Sequence, residues 1–412
     1  MPASPPVILG YDLVSPLGTE LIPQWERAAR GESGVVPLTR FAPAPDFPVQ
    51  VAGQVPEFDE APFPFLAPRE MALWPSPIFR HAMLVTHRAL ARAGVVITPE
   101  LAPEVGITLS AAVGGLDAVL WADRRLQAEG KLPPPWVPPN SCINMVGGKL
   151  SMLTGATGPL MSTITACATA ATSLIVGAML LAQGRARVVI CGGVDFPLVE
   201  PILAGFATMN GAIKGQRDDP ARASRPFSAD RKGFVVSEGA AALILADREF
   251  ARAHGLPFSF ELAGWSLTSD AHHYVAPHLP TVARAMAEAV ADAGLAPGDV
   301  DLVSAHATST KAGDLVEAQA LAQVFGARIP PVWAGKSLVG HTMGAAAGVE
   351  LILALMGAER GLCPPTLNHT PDPAIPLDVV AEGARPLAAE HLLKNAFGFG
   401  GTNSCLLVRR VN

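Results

Sequence analysis

Charge is scarce in this chain: only 16% of its 412 residues are Asp, Glu, Lys or Arg, and they balance to a net charge of −6. That balance gives no global attraction to nucleic acid or to an anionic membrane surface, so an acidic partner would need a local basic patch. Cysteine is sparse as well. Cys142, Cys167, Cys191, Cys363 and Cys405 are odd in number and without C-x-x-C spacing, which signals neither a disulfide framework nor a zinc site and fits reduced thiols in a cytosol. Long apolar runs are missing too: the longest, around Leu174 to Ala182, is well short of the ~20 residues that span a bilayer. The opening MPASPPVILGYDLV carries no basic stretch ahead of an apolar one. A soluble cytoplasmic protein that binds neither membrane nor nucleic acid is expected.

Apolar residues and turn formers are abundant. Half of the residues are apolar, with 39 Gly and 39 Pro, which argues for a compact α/β globule with many tight turns. The length exceeds what one simple core holds, leaving one large duplicated domain or two domains open. Short apolar runs, VGITLS near residue 107, VVICGGV near 190, AALILA near 243 and CLLVRRV near 408, read as strands buried on both faces. Between them IFRHAMLVTHRALARAG, TVARAMAEAVADAG and AAGVELILALMGAERG carry apolar residues three and four apart, each ending in a capping Gly. The alternation predicts an α/β architecture with mainly parallel strands. RALARAGVVITPELAPEVGITLSAA is echoed by EAVADAGLAPGDVDLVSAHA, and VVICGGVDF by FGFGGTN, as a duplicated unit or a chance likeness of Ala-rich helices would give. The stretch from Pro43 to Pro77 and KLPPPWVPPN hold Phe, Leu and Trp between prolines and read as ordered surface loops.

Four segments carry chemistry. In GPLMSTITACATAATSLIVGAMLLAQG a Thr-rich strand-like run stops at Cys167 and gives way to a helix of small residues. A thiol in the first turn of a buried helix feels the positive end of the peptide dipoles, which favours thiolate. Alone, such a cysteine also reads as a small core residue. LVSAHATSTKAGDLVEAQALA places His306 after a buried strand, then Thr308 and Thr310, then Asp314 and Glu317 at the opening of a helix. The imidazole suits an acid, a base or a hydrogen-bond donor, and equally a satisfied core histidine. PPVWAGKSLVGHTMGAAAGVELILAL presents Lys336 and His341 before a helix with Glu350 on its apolar face. A buried charge without a partner costs ~3–5 kcal/mol, so a Lys336–Glu350 pair is expected. In NAFGFGGTNSCLLV, Gly398, Gly400 and Gly401 beside Phe397 and Phe399 suggest either a tight bend or backbone amides facing an oxyanion.

Together these segments resemble the β-ketoacyl-acyl-carrier-protein synthase family, of the elongating type of type II fatty acid and polyketide synthesis. The resemblance runs nearly end to end, from VILGYDLVSPLG through LSAAVGGL, CINMVGGKLSMLTGATGP, TACATA, ASRPFSADRKGFVVSEGAAALIL and TSDAHH to AHATST, GKSLVGHTMGAAAGVE and NAFGFGGTN. It implies a thiolase-like fold of two duplicated βαβαβαββ halves in an α-β-α-β-α sandwich. The nucleophile falls in residues 1–250, and the histidines, the lysine and the glycine turn in 251–412. It implies that Cys167 takes an acyl group from a carrier-protein phosphopantetheine thioester, and that a malonyl thioester is then decarboxylated and condenses with it. His306 and His341 would stabilise the enolate and Lys336 would fix the charge pattern around them. Backbone amides of Cys167 and Phe399 would form the oxyanion hole, with Phe399 gating malonyl entry. Thr308 and Thr310 match pantetheine-binding positions and Val113 an acyl-pocket position; Asp314, Glu317 and Glu350 support the site. No metal or other bound cofactor is implied, since the substrates ride on the carrier protein.

The implied partners are acyl- and malonyl-loaded acyl carrier protein and a second subunit, as a homodimer built around the nucleophile-bearing strands or as a heterodimer. Biosynthetic thiolases place a Cys base where this chain has a second His, and Cys405, at the start of an apolar strand, reads as core. Departures from the family pattern are Ala307 for Gly, Ser228 for Asp, Ser304 for an Asn that serves a monovalent-ion site in some relatives, and Val275 for Thr. No bound ion is therefore expected. The carrier-docking cations are thin, Arg69, Arg80, Arg124, Arg125 and Lys131, with Trp74 and Pro75 in place of polar residues. These departures leave a specialised polyketide-type pathway open beside primary fatty acid synthesis. Two other functions remain at this point: a non-catalytic partner like a chain-length factor, and a malonyl decarboxylase or acyltransferase that does not condense. Chain length rests on the packing of Val113, Met145 and Phe206.

Overall fold

A computed structural model describes residues 4–381 and 383–411. The first half of the chain supplies strands β1 (Val7–Val14), β4 (Val105–Ile107), β5 (Val188–Asp195) and β6 (Gly239–Ala246), with β2 (Val35–Pro37) and β3 (Val51–Gly53) forming a small separate ribbon. The second half supplies β7 (Phe260–Ser269), β8 (Leu302–Ser304), β9 (Val332–Trp333), β12 (His391–Gly398) and β13 (Thr402–Arg410), with β10 (Leu362–Cys363) and β11 (Arg385–Pro386) as a second ribbon. The nine long-range strands run in the order β4-β5-β6-β1-β7-β13-β12-β8-β9.

This order is symmetric about the short β1–β7 pairing of Val7 with Glu261 and Ile8 with Phe260. Outward from it, β6 and β13 pair antiparallel to their neighbours, β5 and β12 follow antiparallel, and β4 and β8 follow parallel. A parallel bridge from Ile107 to Leu160 stands in the first half where β9 stands in the second. The echoed segments are equivalent by position: helix 77–93 leads to β4, and helix 279–292 leads to β8. The two paired-glycine stretches also lie on matching strands, β5 and β12.

The expectation of mainly parallel strands is corrected, since five of these pairings are antiparallel and three parallel. Continuous apolar strands report burial on both faces, and here helices impose that burial on antiparallel neighbours as well. β6 shows it by alternation. Ala241, Leu243 and Leu245 join a central core with helices 169–182 and 346–360, whereas Ala240, Ala242, Ile244 and Ala246 join an outer core with helix 77–93. In the second half Val303, Leu393, Cys405 and Leu407 form the matching outer core with helix 279–292. The result is five layers, with helices 169–182 and 346–360 in the middle one. Residues 346–358 of the latter are buried throughout, so its sequence is apolar all round rather than striped.

The helices end as their sequences predict. Gly94, Gly294 and Gly361 adopt positive φ of 65°, 71° and 64° just past their last turns. Pro77 opens helix 77–93, and Pro280 lies in the first turn of helix 279–292. Among the described residues, no helix is long and apolar enough to cross a membrane.

Candidate active site

The segment expected to carry the nucleophile is an elbow. The extended run to Thr165 is broken by Ala166, whose φ is +49°, and Cys167 follows in a 3₁₀ turn that feeds helix 169–182. Left-handed backbone at a non-glycine residue costs ~1–2 kcal/mol, and here surrounding bonds hold it. Thr169 Oγ1 accepts from the Thr165 N–H at 3.0 Å and donates to the Ala166 carbonyl at 2.8 Å. The β12–β13 turn lies directly against this elbow. A Cβ at Gly398 would stand 2.2 Å from the Thr165 carbonyl oxygen, so only glycine lets the two backbones meet.

Cys167 is 7% exposed, and burial pushes its thiol up to about 12. The Lys336 cation opposes that rise, the Asp195 carboxylate adds to it, and backbone N–H groups of Phe399 and of Cys167 itself favour the thiolate. The helix N-terminus therefore does not leave a resting thiolate: desolvation outweighs it.

His306 sits on the turn after β8 and His341 on the turn after Lys336–Val339, with their rings 5.7 Å apart at 86°. Burial, followed by the Lys336 cation, pulls both imidazoles well below the usual histidine range, so each is neutral at pH 7 and has one N–H to donate. His341 is 2% exposed and its two ring nitrogens have no hydrogen-bond partner among the described residues. Its backbone is pinned: its N–H donates to Val235 O at 2.7 Å and its carbonyl accepts from the Ser237 N–H at 2.9 Å. The His306 turn is held by charge. Glu317 accepts from the N–H groups of His306 and Ala307 at 2.8 and 2.7 Å, and Lys336 Nζ donates to the His306 carbonyl at 2.5 Å.

The expected Lys336–Glu350 pair forms at 2.6 Å. The sequence reading missed Lys394, on β12, which reaches the other Glu350 oxygen at 2.5 Å.

Cys167, His306, His341, Thr308, Thr310 and Phe399 together line one cavity of about 620 Å³. Val113 and Phe206 also border it, whereas Met145 does not and packs in the outer core of the first half. The Thr308 and Thr310 hydroxyls are 3.0 Å apart. The Phe399 ring lies 6.5 Å from that of Phe206.

Residues 4–251 match the family description "Beta-ketoacyl synthase, N-terminal domain", and residues 259–370 match "Beta-ketoacyl synthase, C-terminal domain". The chain belongs to the beta-ketoacyl synthase family. The synthase is 34% identical over 415 residues to 3-oxoacyl-[acyl-carrier-protein] synthase 2 of Coxiella burnetii, covering 98% of each chain. A beta-ketoacyl synthase from Burkholderia phymatum superposes with a TM-score of 0.92 at 30% identity, over 99% of this chain and all of that one. A type II polyketide ketosynthase in complex with its acyl-carrier protein, AntDE:AntF, superposes with a TM-score of 0.90 at 25% identity, over 99% and 100%. The fold of this synthase is thus the thiolase-like one that the resemblance implied.

Of the supporting carboxylates, Glu317 and Glu350 bind the site directly, whereas Asp314 acts one step away. It accepts from the Phe227 N–H at 2.8 Å, and burial pushes it up to about 7. Two more residues escaped the sequence reading. Asp195 accepts from the N–H groups of Val113 and Gly344 at 2.8 and 2.7 Å, joining the Val113 loop to the turn beyond His341. Arg231 donates to the carbonyls of Thr310 and Lys311 at 3.1 and 3.0 Å behind the Thr308–Thr310 turn. Buried charges inside apolar or turn segments were the available signal. Ala307, where the family has Gly, sits at φ +20° and is buried.

The cations that the resemblance would place at the carrier-docking surface are largely paired within the chain. Arg80 pairs with Glu60 at 2.8 Å, Arg124 with Glu200 at 2.7 Å, and Arg125 and Lys131 with Glu129 at 3.5 and 2.8 Å.

Proposed function

We propose that this synthase catalyses a decarboxylative Claisen condensation between an acyl group held on Cys167 and a malonyl group delivered on acyl carrier protein. The observation that carries this reading is one cavity holding a thiol with two backbone amides beside it and two neutral imidazoles with free N–H capacity.

In the first stage the Cys167 sulfur gives up its proton and attacks the carrier thioester carbonyl. The phosphopantetheine thiol leaves carrying a proton. The tetrahedral oxyanion is met by the N–H groups of Cys167 and Phe399, where one such donor is worth ~2.7–4 kcal/mol. In the second stage the malonyl carboxylate leaves as carbon dioxide, and the electron pair of the broken C–C bond passes into an enolate. His306 and His341 donate to its oxygen. The enolate carbon then attacks the acyl-Cys167 carbonyl, the new C–C bond forms, and the thiolate leaves to recover its proton.

Phe399, which lines the same cavity as Cys167, gates malonyl entry, Val113 walls the acyl pocket, and Thr308 and Thr310 hold the pantetheine arm. Lys336 sets the charge around the histidines; Asp314, Glu317 and Glu350 support the turns that carry them. Residues 1–250 act as the nucleophile-bearing half and 251–412 as the half that activates malonyl. The substrates' own carrier arm supplies the thioester chemistry, with no further bound cofactor. Five free thiols suit a reducing cytoplasm. The working form is a dimer of identical chains.

Intact-protein mass spectrometry after incubation with acyl- and malonyl-carrier thioesters tests the reading. The wild type gains one acyl group and yields β-ketoacyl product, Cys167→Ala gains none, and His341→Ala is acylated but makes product at least ~100-fold more slowly. Absence of acylation with every thioester would leave the non-catalytic partner in its place. Acylation without product would point to an acyltransferase.

A further inference from the structure

Lys394 is fully buried in the middle of an apolar strand, in the sequence HLLKNAFG, and nothing in the two chemical stages above uses it. A buried ammonium persists only where oxygen ligands replace its water. Lys394 Nζ has such a set: Glu350 Oε2 at 2.5 Å, the Ala305 carbonyl at 3.1 Å and the Ser304 carbonyl at 3.4 Å. Burial pulls the ammonium down from its usual range, and the Glu350 carboxylate opposes that.

The ligands lie on the two residues that lead into His306. Lys336 Nζ takes the next carbonyl, that of His306 itself. Three successive carbonyls, 304 to 306, are thus held by two ammonium groups, and Glu350 bridges the two. On the other side Glu317 takes the N–H groups of His306 and Ala307, and Asn395, next to Lys394, donates to the same carboxylate at 2.9 Å. Every backbone polar group that sets the direction of the His306 ring is therefore tied to a buried charge.

We propose that Lys394 is a positioning residue for His306, acting as a built-in monovalent cation whose oxygen ligands fix the end of β8. This rests on the condensing reading above. Because the acyl-transfer stage uses Cys167 and two backbone amides, and only the malonyl stage uses the imidazoles, losing Lys394 separates the two stages. Lys394→Met keeps the side-chain volume and leaves the Lys336–Glu350 pair intact. Lys394→Ala opens a space of ammonium size beside a carboxylate and two carbonyls.

The test measures Cys167 acylation by mass and malonyl-carrier turnover by carbon dioxide release, in the full chain, for wild type and both variants. For Lys394→Met the expected result is acylation within twofold of wild type, kcat for carbon dioxide release at least tenfold lower, and KM for malonyl-carrier within threefold. Lys394→Ala recovers at least threefold in kcat on adding ammonium or methylamine chloride, relative to equal tetramethylammonium chloride, whose cation is too large for the space. Carbon dioxide release by Lys394→Met within twofold of wild type would overturn the proposal. So would equal loss of both stages in Lys394→Ala without amine rescue, or failure of both variants to fold, since the lysine would then serve the fold alone. A wild type that is acylated but never condenses would sink the synthase reading itself, which keeps the two failures apart.

Discussion

At Cys167, burial and the helix N-terminus act in opposite directions, and the balance is measurable. A thiol pushed up to about 12 is protonated at every physiological pH, so its thiolate fraction rises tenfold per pH unit until the pH approaches that value. Carbamidomethylation of Cys167 by iodoacetamide should therefore speed up about tenfold per unit between pH 6 and pH 9, with no plateau. A plateau near neutrality would mean that the peptide dipoles, Lys336 and the facing amides prevail over desolvation. The histidines add no inflection in this window, because both stay neutral above their lowered range. Sequence reasoning identified the residue and its helix but not this balance, because its burial comes from residues distant in the chain, Leu38, Phe234 and Met343 among them. The Lys336–Glu350 pair was legible because a charge inside an apolar segment demands a partner. Lys394 obeyed the same rule and was hidden by its position beside a conspicuous glycine turn.

Among elements, the decisive contact is backbone on backbone, where the end of β12 meets the nucleophile elbow. The sequence offered a tight bend or an oxyanion site for the glycine turn, and the two readings turn out to depend on each other. The Phe399 amide can face the sulfur only because Gly398 passes so close to Thr165. Gly398→Ala should force that turn outward, lower stability by ~1–3 kcal/mol as overpacking does, and slow Cys167 acylation at least tenfold. Thermal melting with the acylation rate checks both effects. Gly400 is the control: its φ is +87° but open space surrounds it, so Gly400→Asn, which tolerates that backbone region, should keep acylation within threefold. The helix caps and the double-faced strands were readable from local sequence because both are local consequences of packing. Strand direction was not, since only the antiparallel pair β12–β13 is closed by a short turn, and the others join strands distant in sequence.

For the whole molecule, the duplication explains both the echo in the sequence and its faintness. Equivalent elements keep their order and their apolar positions, while the loops that carry chemistry differ: the first half offers a cysteine elbow and the second offers His306, His341 and the glycine turn. The symmetry also exposes an unfinished edge. In the first half, segment 159–161 pairs with β4 through the Ile107 N–H to Pro159 O bond at 2.8 Å and the Met161 N–H to Ile107 O bond at 2.9 Å. No described strand pairs with its outer side. Leu160, Met161 and, just beyond, Ile164, with Met152 on the neighbouring helix, are 40 to 67% exposed, an unusual state for four large apolar side chains in one stretch of chain. An unpaired, apolar strand edge favours pairing with another chain, and a two-fold axis lets the same edge serve both copies. The segment runs on into Thr165, Ala166 and Cys167, so covering it would also steady the elbow. Met161→Glu should therefore shift sedimentation from twice the chain mass to the chain mass and reduce Cys167 acylation along with it. A variant that sediments as a monomer yet acylates at the wild-type rate would show that each elbow stands without its neighbour, and a wild type that sediments as a monomer would remove the dimer altogether.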